Sequence, residues 1–315
     1  MTALQIPVID VSRLDDPATL AALDAACREW GFFQATGHGI DAPVLARLMA
    51  AARGLFALTA EAKRRIARTA DNPWGFFDRE LTKNTRDWKE IYDFGPGDGG
   101  RQQPQWPATV AGFEAALRAY YDACAGLATR LIDAIGTNLG MTGGVLPRAF
   151  GSSQSSFVRL NYYPPCPAPE MPAGIQTPAH GYLGVNHHTD AGALTLLLQD
   201  RQPGLEVFHD GGWHLVTPRA DALVVNIGDI VQVWSNDRYQ AALHRVLANN
   251  QHPRYSAPFF FNPAYSTDYA PLPSTVDAAH PPRYRAINWA EFRARRAAGD
   301  YADLGEEVQL AHYAL

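Results

Sequence analysis

From Ser156 onward the chain is a succession of short β-rich runs separated by turn residues, and this pattern limits its architecture more than any other feature. The runs are Phe157 to Tyr163, Leu183 to His188, Leu194 to Leu198, Leu205 to Phe208, Trp213 to Val216, Leu223 to Ile227, Ile230 to Trp234, Leu243 to Ala248 and Ser256 to Phe261. Strands this short, at this spacing, predict a double-sheet sandwich or barrel. Asp210-Gly211-Gly212, between two alternating runs, reads as a hairpin turn, and Gly228-Asp229 as a second tight turn.

The first half has a helical period instead. After a short strand at Pro7 to Val11, the Ala/Leu-rich segment Asp16 to Trp30 repeats its apolar residues near every 3.6 positions, with Ser12 or Asp15 as the candidate cap. Gly31 to Thr36 alternates as a strand, Asp41 is placed to cap a helix through Leu58, and Thr109 a long one ending at Gly140. The tail returns to helix from Asn288 to Arg296. No Pro/Ser-rich linker divides the halves, so the reading is one α+β unit, with helices flanking a jelly-roll core. Its divisions are a mainly helical region over 1–150, the jelly roll over 151–287 and a C-terminal helix and tail over 288–315.

Charge and cysteine content remove several functions. Lys plus Arg number 27 against 32 Asp plus Glu, a net charge of −5, so no basic field exists to hold a nucleic-acid backbone. The three cysteines, Cys27, Cys124 and Cys166, lack the paired spacing of a zinc site or redox couple, which suits a reducing, cytoplasmic setting. Neither a leader pattern nor a stretch of about 20 apolar residues is present, so no membrane association is expected.

The residues that carry chemistry begin with His188-Thr189-Asp190. Residues i and i+2 of a strand share a face, so imidazole and carboxylate can converge as a two-point metal clamp. His244, 56 residues on, can supply a third ligand from another strand. Two His and one carboxylate leave open positions on an octahedral ion, the arrangement of non-haem Fe(II) oxygenases. Taken alone, a His-x-Asp pair equally suits structural histidines. Arg254 and Ser256 follow at the period of one strand, leading into the apolar Ala257-Pro258-Phe259-Phe260-Phe261, and an inward guanidinium and hydroxyl can hold a small carboxylate.

These residues sit within a longer series of ordered matches: Ile6-Pro7-Val8-Ile9-Asp10, Trp30-Gly31-Phe32-Phe33, Gly37-His38-Gly39, Asp87-Trp88-Lys89-Glu90, Gln105-Trp106-Pro107, Asn161-Tyr162-Tyr163-Pro164-Pro165, His188-Thr189-Asp190, Leu194-Thr195-Leu196-Leu197, Asn226-Ile227-Gly228-Asp229, Ser235-Asn236 with Tyr239, His244-Arg245-Val246 and Arg254-Tyr255-Ser256. In this the chain resembles, nearly end to end, the isopenicillin N synthase-like family of Fe(II)/2-oxoglutarate-dependent dioxygenases. The resemblance implies a distorted double-stranded β-helix with N-terminal helices. It implies Fe(II) on His188, Asp190 and His244, with Arg254 and Ser256 holding the distal carboxylate of 2-oxoglutarate and Tyr163 and Asn161 completing that pocket. It implies dioxygen as cosubstrate, and oxidation of a small molecule, foremost C–H hydroxylation, coupled to release of succinate and CO2.

Within the family, desaturation, ring closure and keto-acid-independent oxidase chemistry are the alternatives, and a non-catalytic binding barrel is the alternative outside it. Phe260 corresponds to a position that often faces substrate, and Phe76 and Trp234 are further aromatic candidates. Tyr163 to His188 is longer than the family pattern, so a lid around Pro172 to Gly181 is expected, with His180 as a contact. Oligomeric state is not legible in the sequence.

Overall fold

The computed structural model describes residues 5–96, 102–141, 144, 146–151, 153–169, 181–299, 305 and 308–315. In chain order the strands are β1 (Val8–Asp10), β2 (Phe32–Thr36), β3 (Gly75–Phe77), β4 (Leu81–Thr82), β5 (Thr85–Arg86), β6 (Glu90–Phe94), β7 (Phe157–Tyr163), β8 (Leu183–His188), β9 (Leu194–Gln199), β10 (Leu205–His209), β11 (Gly212–Leu215), β12 (Leu223–Ile227), β13 (His244–Leu247), β14 (Arg254–Phe261), β15 (Asp268–Tyr269) and β16 (Ile287–Asn288). The helices are α1 (Pro17–Glu29), α2 (Ala42–Phe56), α3 (Ala60–Arg64), α4 (Phe113–Asn138), α5 (Asp229–Trp234) and α6 (Trp289–Gly299).

Two sheets form the jelly roll. The larger runs β1-β2-β12-β9-β14-β7-β6-β3 and the smaller β11-β10-β13-β8. Four strands of the larger sheet come from the helix-rich first half, so the two halves share one sheet. Its outer face is covered by α1, α2 and α4, whose Leu23, Leu48, Leu55, Leu117, Leu127 and Leu131 join Leu196, Val225 and Phe259 in one core. Each such buried side chain contributes about 1.5–3 kcal/mol, which holds the helices on the sheet. A second, smaller core lies between the sheets, where Phe32, Leu197 and Val224 meet Val185, Leu205, Val207 and Val246.

Local chemistry corrects several expected boundaries. Asp16, rather than Ser12 or Asp15, caps α1: its carboxylate accepts from the Thr19 N–H at 3.1 Å and Pro17 opens the first turn. Helix α4 starts after Gly112, not Thr109, because the chain makes two tight turns from Pro107 to Phe113 first. The hairpin at Asp210-Gly211 forms as expected, both residues at positive φ, with Phe208 opposite Trp213. Gly228-Asp229 is not a hairpin, and Ile230 to Trp234 is not a strand: Gly228 caps the short helix α5. The three cysteines are free and buried. No helix among the described residues is long and apolar enough to cross a membrane.

Candidate active site

The alternation of the larger sheet decides which side chains reach the space between the sheets. In β14, Arg254, Ser256, Pro258 and Phe260 line a cavity there, while Ala257, Phe259 and Phe261 join the helix-side core. In β7, Arg159, Asn161 and Tyr163 face the cavity and Val158 and Leu160 the core; in β9, Thr195 and Leu197 face in and Leu194, Leu196 and Leu198 out; in β12, Asn226 faces in between Val225 and Ile227.

The smaller sheet brings His188 and His244 directly opposite each other across β8 and β13, with ring centroids 4.3 Å apart. Strand β8 ends at His188, so Asp190 is returned to the pair by the following bend rather than by strand geometry. That bend is clamped by α5: the Asp229 N–H donates to the Asp190 carbonyl at 2.8 Å. Any Cβ on Gly228 would lie 2.3 Å from the Gly192 carbonyl oxygen and 2.7 Å from that of Asp190, so only glycine fits the approach. Asp190 Oδ1 is thereby 3.6 Å from His188 Nε2 and 3.8 Å from His244 Nε2. Donor atoms of these three side chains lie within 4.8 Å of one another, the spacing of a metal ligand set.

Their surroundings orient them. His188 Nδ1 lies 2.8 Å from the Asn186 carbonyl and His244 Nδ1 3.0 Å from that of Ala242, so each Nδ1–H is engaged and each Nε2 keeps its lone pair for the centre. Burial, reinforced by the His244 ring, pushes the His188 pKa down to about 3, which keeps the imidazole neutral. Burial alone would raise the Asp190 pKa, but the two imidazoles and two hydrogen bonds outweigh it and the carboxylate is held below its usual range. Both of those bonds fall on Oδ2, from Thr195 Oγ1 at 2.5 Å and Asn226 Nδ2 at 2.8 Å, leaving Oδ1 to face the histidines.

At the blind end of the cavity, Arg254 is 1% exposed. Its Nη2 donates to Gln199 Oε1 at 3.0 Å, while Nε and Nη1 have no partner among the described residues, and its guanidinium lies 5.0 Å from the Tyr163 ring centroid. Ser256 Oγ accepts from Asn161 Nδ2 at 3.4 Å, which leaves its own O–H free to donate. Gln199 Nε2 is also buried without a partner. A buried cation surrounded by unused donors fits a carboxylate, and the triad lies along the same cavity, so the residues present suit a keto acid that reaches a metal.

The side wall is a buried ion network. Lys89 Nζ lies 2.6 Å from Glu80 Oε2 and 3.1 Å from Asp87 Oδ2; Arg159 reaches Glu80 at 2.8 Å and clasps Asp93 with bonds of 2.7 and 2.9 Å; Arg68 adds a 2.9 Å bond to Asp93. Burial would raise the Glu80 pKa, but Arg159, Lys89 and Arg68 bring it down to about 2, whereas burial prevails at Asp87 and raises it. Asp87 Oδ1 also accepts from the Asn186 N–H at 3.1 Å, and the Asn186 carbonyl faces His188 Nδ1, so the wall is tied to the triad.

Of the residues read from the sequence, His188, Asp190, His244, Arg254, Ser256, Tyr163, Asn161 and Phe260 all line this cavity. Phe76 and Trp234 do not: Phe76 is buried beneath Lys63, 5.3 Å from its ammonium, and Trp234 packs edge-on to Phe150, both as core aromatics. His180 and all of the expected lid but its last residue, Gly181, fall on residues 170–180, outside those described. The sequence reading assigned no role to Lys89, Arg159, Thr195, Gln199 or Asn226. Inward alternation from Asn161, Arg254 and Ser256 to neighbouring strands would have found four of them, but not Lys89.

Comparison with known proteins agrees with this geometry. The family described as the 2OG-Fe(II) oxygenase superfamily matches residues 154–263, and that described as the non-haem dioxygenase in morphine synthesis N-terminal matches residues 6–109. The chain is 34% identical over 294 residues to flavanone 3-dioxygenase 2 of Oryza sativa subsp. japonica, covering 91% of this chain and 82% of the relative. JOX2, crystallised with 2OG, Fe and JA, superposes with a TM-score of 0.80 at 30% identity, covering 93% of this chain and 85% of that one. A full-length protein of Neurospora crassa, crystallised with alpha-KG and thymine, gives 0.81 at 26% identity, covering 95% and 98%. With this ligand set, this fold and these relatives, the chain belongs to the Fe(II)/2-oxoglutarate-dependent dioxygenase family.

Proposed function

We propose that His188, Asp190 and His244 bind the Fe(II), that Arg254 and Ser256 hold the far carboxylate of 2-oxoglutarate beside Tyr163 and Asn161, and that the enzyme hydroxylates a C–H bond of a small molecule held on the Phe260 side. The observation that carries the assignment is Arg254, a fully buried guanidinium with two donor nitrogens unpartnered among the described residues, lining the triad's cavity. When bound, Fe(II) would activate dioxygen, the oxidant, with 2-oxoglutarate giving up two electrons and leaving as succinate and CO2, so that one oxygen atom goes to succinate and the other to the substrate. The chain's own part is positioning. The two imidazoles, each oriented through Nδ1, present their Nε2 lone pairs, Thr195 and Asn226 hold the Asp190 carboxylate in one rotamer, and Arg254 sets the depth of the keto acid. The apolar Phe32, Val185, Leu197, Leu205 and Val246 exclude water from the same space. A small-molecule substrate is supported by the relatives crystallised with JA and with thymine.

Anaerobic titration of the protein with Fe(II) and then 2-oxoglutarate tests the assignment through the visible absorption of the Fe(II)–keto-acid chelate. Wild type should develop the band, and His188→Ala should not at any 2-oxoglutarate concentration. A band of full strength in His188→Ala would overturn the metal assignment. Conversion of substrate to a product one oxygen atom heavier, rather than two hydrogens lighter, distinguishes hydroxylation from desaturation.

A further inference from the structure

The second side of the metal triad is lined by Glu80, Lys89, Phe157, Arg159, Phe260, Trp289, Arg293 and Arg296, with Ala191 and Gly192 at the bend after Asp190. The charges on this side can be followed one by one. Lys89 and Arg159, with Arg68 behind them, face the three carboxylates Glu80, Asp87 and Asp93. Arg296 donates to the carbonyls of Thr189 and Val308 and lies 4.0 Å from Asp229. On the same helix, Arg295 pairs with Glu291 at 2.9 Å. Arg293, half-buried at this wall, has no carboxylate within ion-pair distance among the described residues, and its guanidinium lies 5.6 Å from the Phe157 ring centroid. Phe157 in turn stacks on Phe260, with centroids 4.7 Å apart and planes 27° from parallel.

We propose that Arg293 binds a carboxylate of the substrate, and that the substrate's apolar body rests on the Phe157–Phe260 pair with its reacting carbon toward the triad. The proposal rests on the functional reading above and narrows its substrate to monoanionic carboxylic acids. Charge balance supports it. Fe(II), the Asp190 carboxylate, a dianionic keto acid and the Arg254 guanidinium together carry no net charge, so among the described residues of this wall Arg293 is the cation left over for the substrate. A single guanidinium with no second unpaired cation beside it among the described residues matches a carboxylate better than a phosphate dianion, which draws several donors. The flat rings and the guanidinium above them form one surface that takes an acid and an apolar body together.

The test uses the Fe(II)- and 2-oxoglutarate-loaded enzyme without oxygen, with benzoate, phenylacetate and 3-phenylpropanoate as probes, each beside its primary amide, and phenyl phosphate as a further arm. Binding is read from the broadening of probe proton resonances by the paramagnetic iron. At least one acid should bind about tenfold more tightly than its amide, the range of a charge-assisted pair in a half-buried site. Arg293→Gln should erase that preference while the chelate absorption stays intact, and Arg293→Lys should restore part of it. Amide and acid binding alike, no probe binding at all, a preference that survives Arg293→Gln, or phenyl phosphate binding most tightly would each overturn the proposal. Absence of the chelate band in wild type would instead overturn the functional reading beneath it, so the two failures are distinguishable.

Discussion

The side wall and the blind end of the cavity both bury charge beside the same triad, and they balance it differently. Along the wall, Arg68, Lys89 and Arg159 meet Glu80, Asp87 and Asp93, so that charge is neutralised by the chain itself. At the blind end, Arg254 is buried to 1% exposure with no carboxylate within ion-pair distance among the described residues and two unused donor nitrogens. An unpaired buried ion is costly, and a paired one is costly to break. The wall is therefore a scaffold whose stability depends on every member. The blind end is a site held at some expense to the fold until a ligand arrives. Removing one charge from each should give stability changes of different size, and this is the sharpest way to break the comparison.

The largest effect is expected at the wall. Glu80→Gln leaves Lys89 and Arg159 facing an amide, one of whose atoms is now a donor, and should destabilise the protein by about 3–5 kcal/mol in chemical denaturation. Arg254→Met, which removes the uncompensated cation and keeps an apolar stem of similar length, should change stability in the absence of ligand by less than about 1 kcal/mol, or raise it. Equal losses in both variants would show that the two clusters follow one rule.

Arg254→Met should appear instead in ligand binding. A charge-assisted carboxylate pair contributes about 1.5–3 kcal/mol, so half-saturation of the anaerobic chelate should need about 10–100-fold more 2-oxoglutarate. The thermal stabilisation that 2-oxoglutarate confers on the wild type should be lost at the same concentration, because ligand linkage follows affinity.

Asp190 combines both designs in one side chain, with Oδ2 satisfied by Thr195 and Asn226 and Oδ1 left toward the histidines. Thr195→Val and Asn226→Ala each remove one of the two bonds to Oδ2 and should weaken Fe(II) binding by about 10–100-fold, the usual range for partners of a metal ligand. Direct metal titration reads this without turnover. An unchanged affinity in both would mean that the bend held by Gly228 and Asp229 alone orients the carboxylate.

How far this was legible in the sequence follows from the range of the interactions. Arg254 and Ser256 could be read because a two-residue period on a strand is a local property, and so is the hairpin at Asp210-Gly211; His188 and Asp190 were paired on the same period although the chain leaves the strand after His188, and His244 on its place in the ordered series of matches. Phe260 shared that period, and its place in the cavity follows. The wall was not legible as a network: its ion pairs join residues spread from Arg68 to Arg159, brought together only when β6 pairs with β7. Ile230 to Trp234 failed for another reason. Four of its five residues are buried, and in so short an apolar run periodicity cannot tell helix from strand; the cap at Gly228 and its closeness to the Asp190 carbonyl decide it. Phe76 and Trp234 show the same limit for aromatic residues, whose size fits a core as readily as a substrate pocket.

The pH dependence of stability isolates the wall. The Glu80 pKa, about 2 in the folded protein, lies below the ordinary glutamate value of 4.5, with the cations Arg159, Lys89 and Arg68 outweighing burial. A carboxylate with a depressed folded pKa contributes its full stability above the unfolded pKa and loses it as pH falls through the folded one, because the unfolded chain takes up the proton first. The stability gap between wild type and Glu80→Gln should therefore be constant above about pH 4.5 and narrow steadily toward about pH 2. Asp87, whose pKa is raised by burial and by the Glu80 charge, acts with the opposite sign and loses the Glu80 part of its shift in Glu80→Gln, so it opposes the narrowing while the three cations on Glu80 set its direction. Urea denaturation of the pair at several pH values in that window measures the gap. A gap that stays constant down to about pH 2 would mean that Glu80 is not held charged by its cations, and the wall would no longer stand as the neutralised counterpart of the blind end.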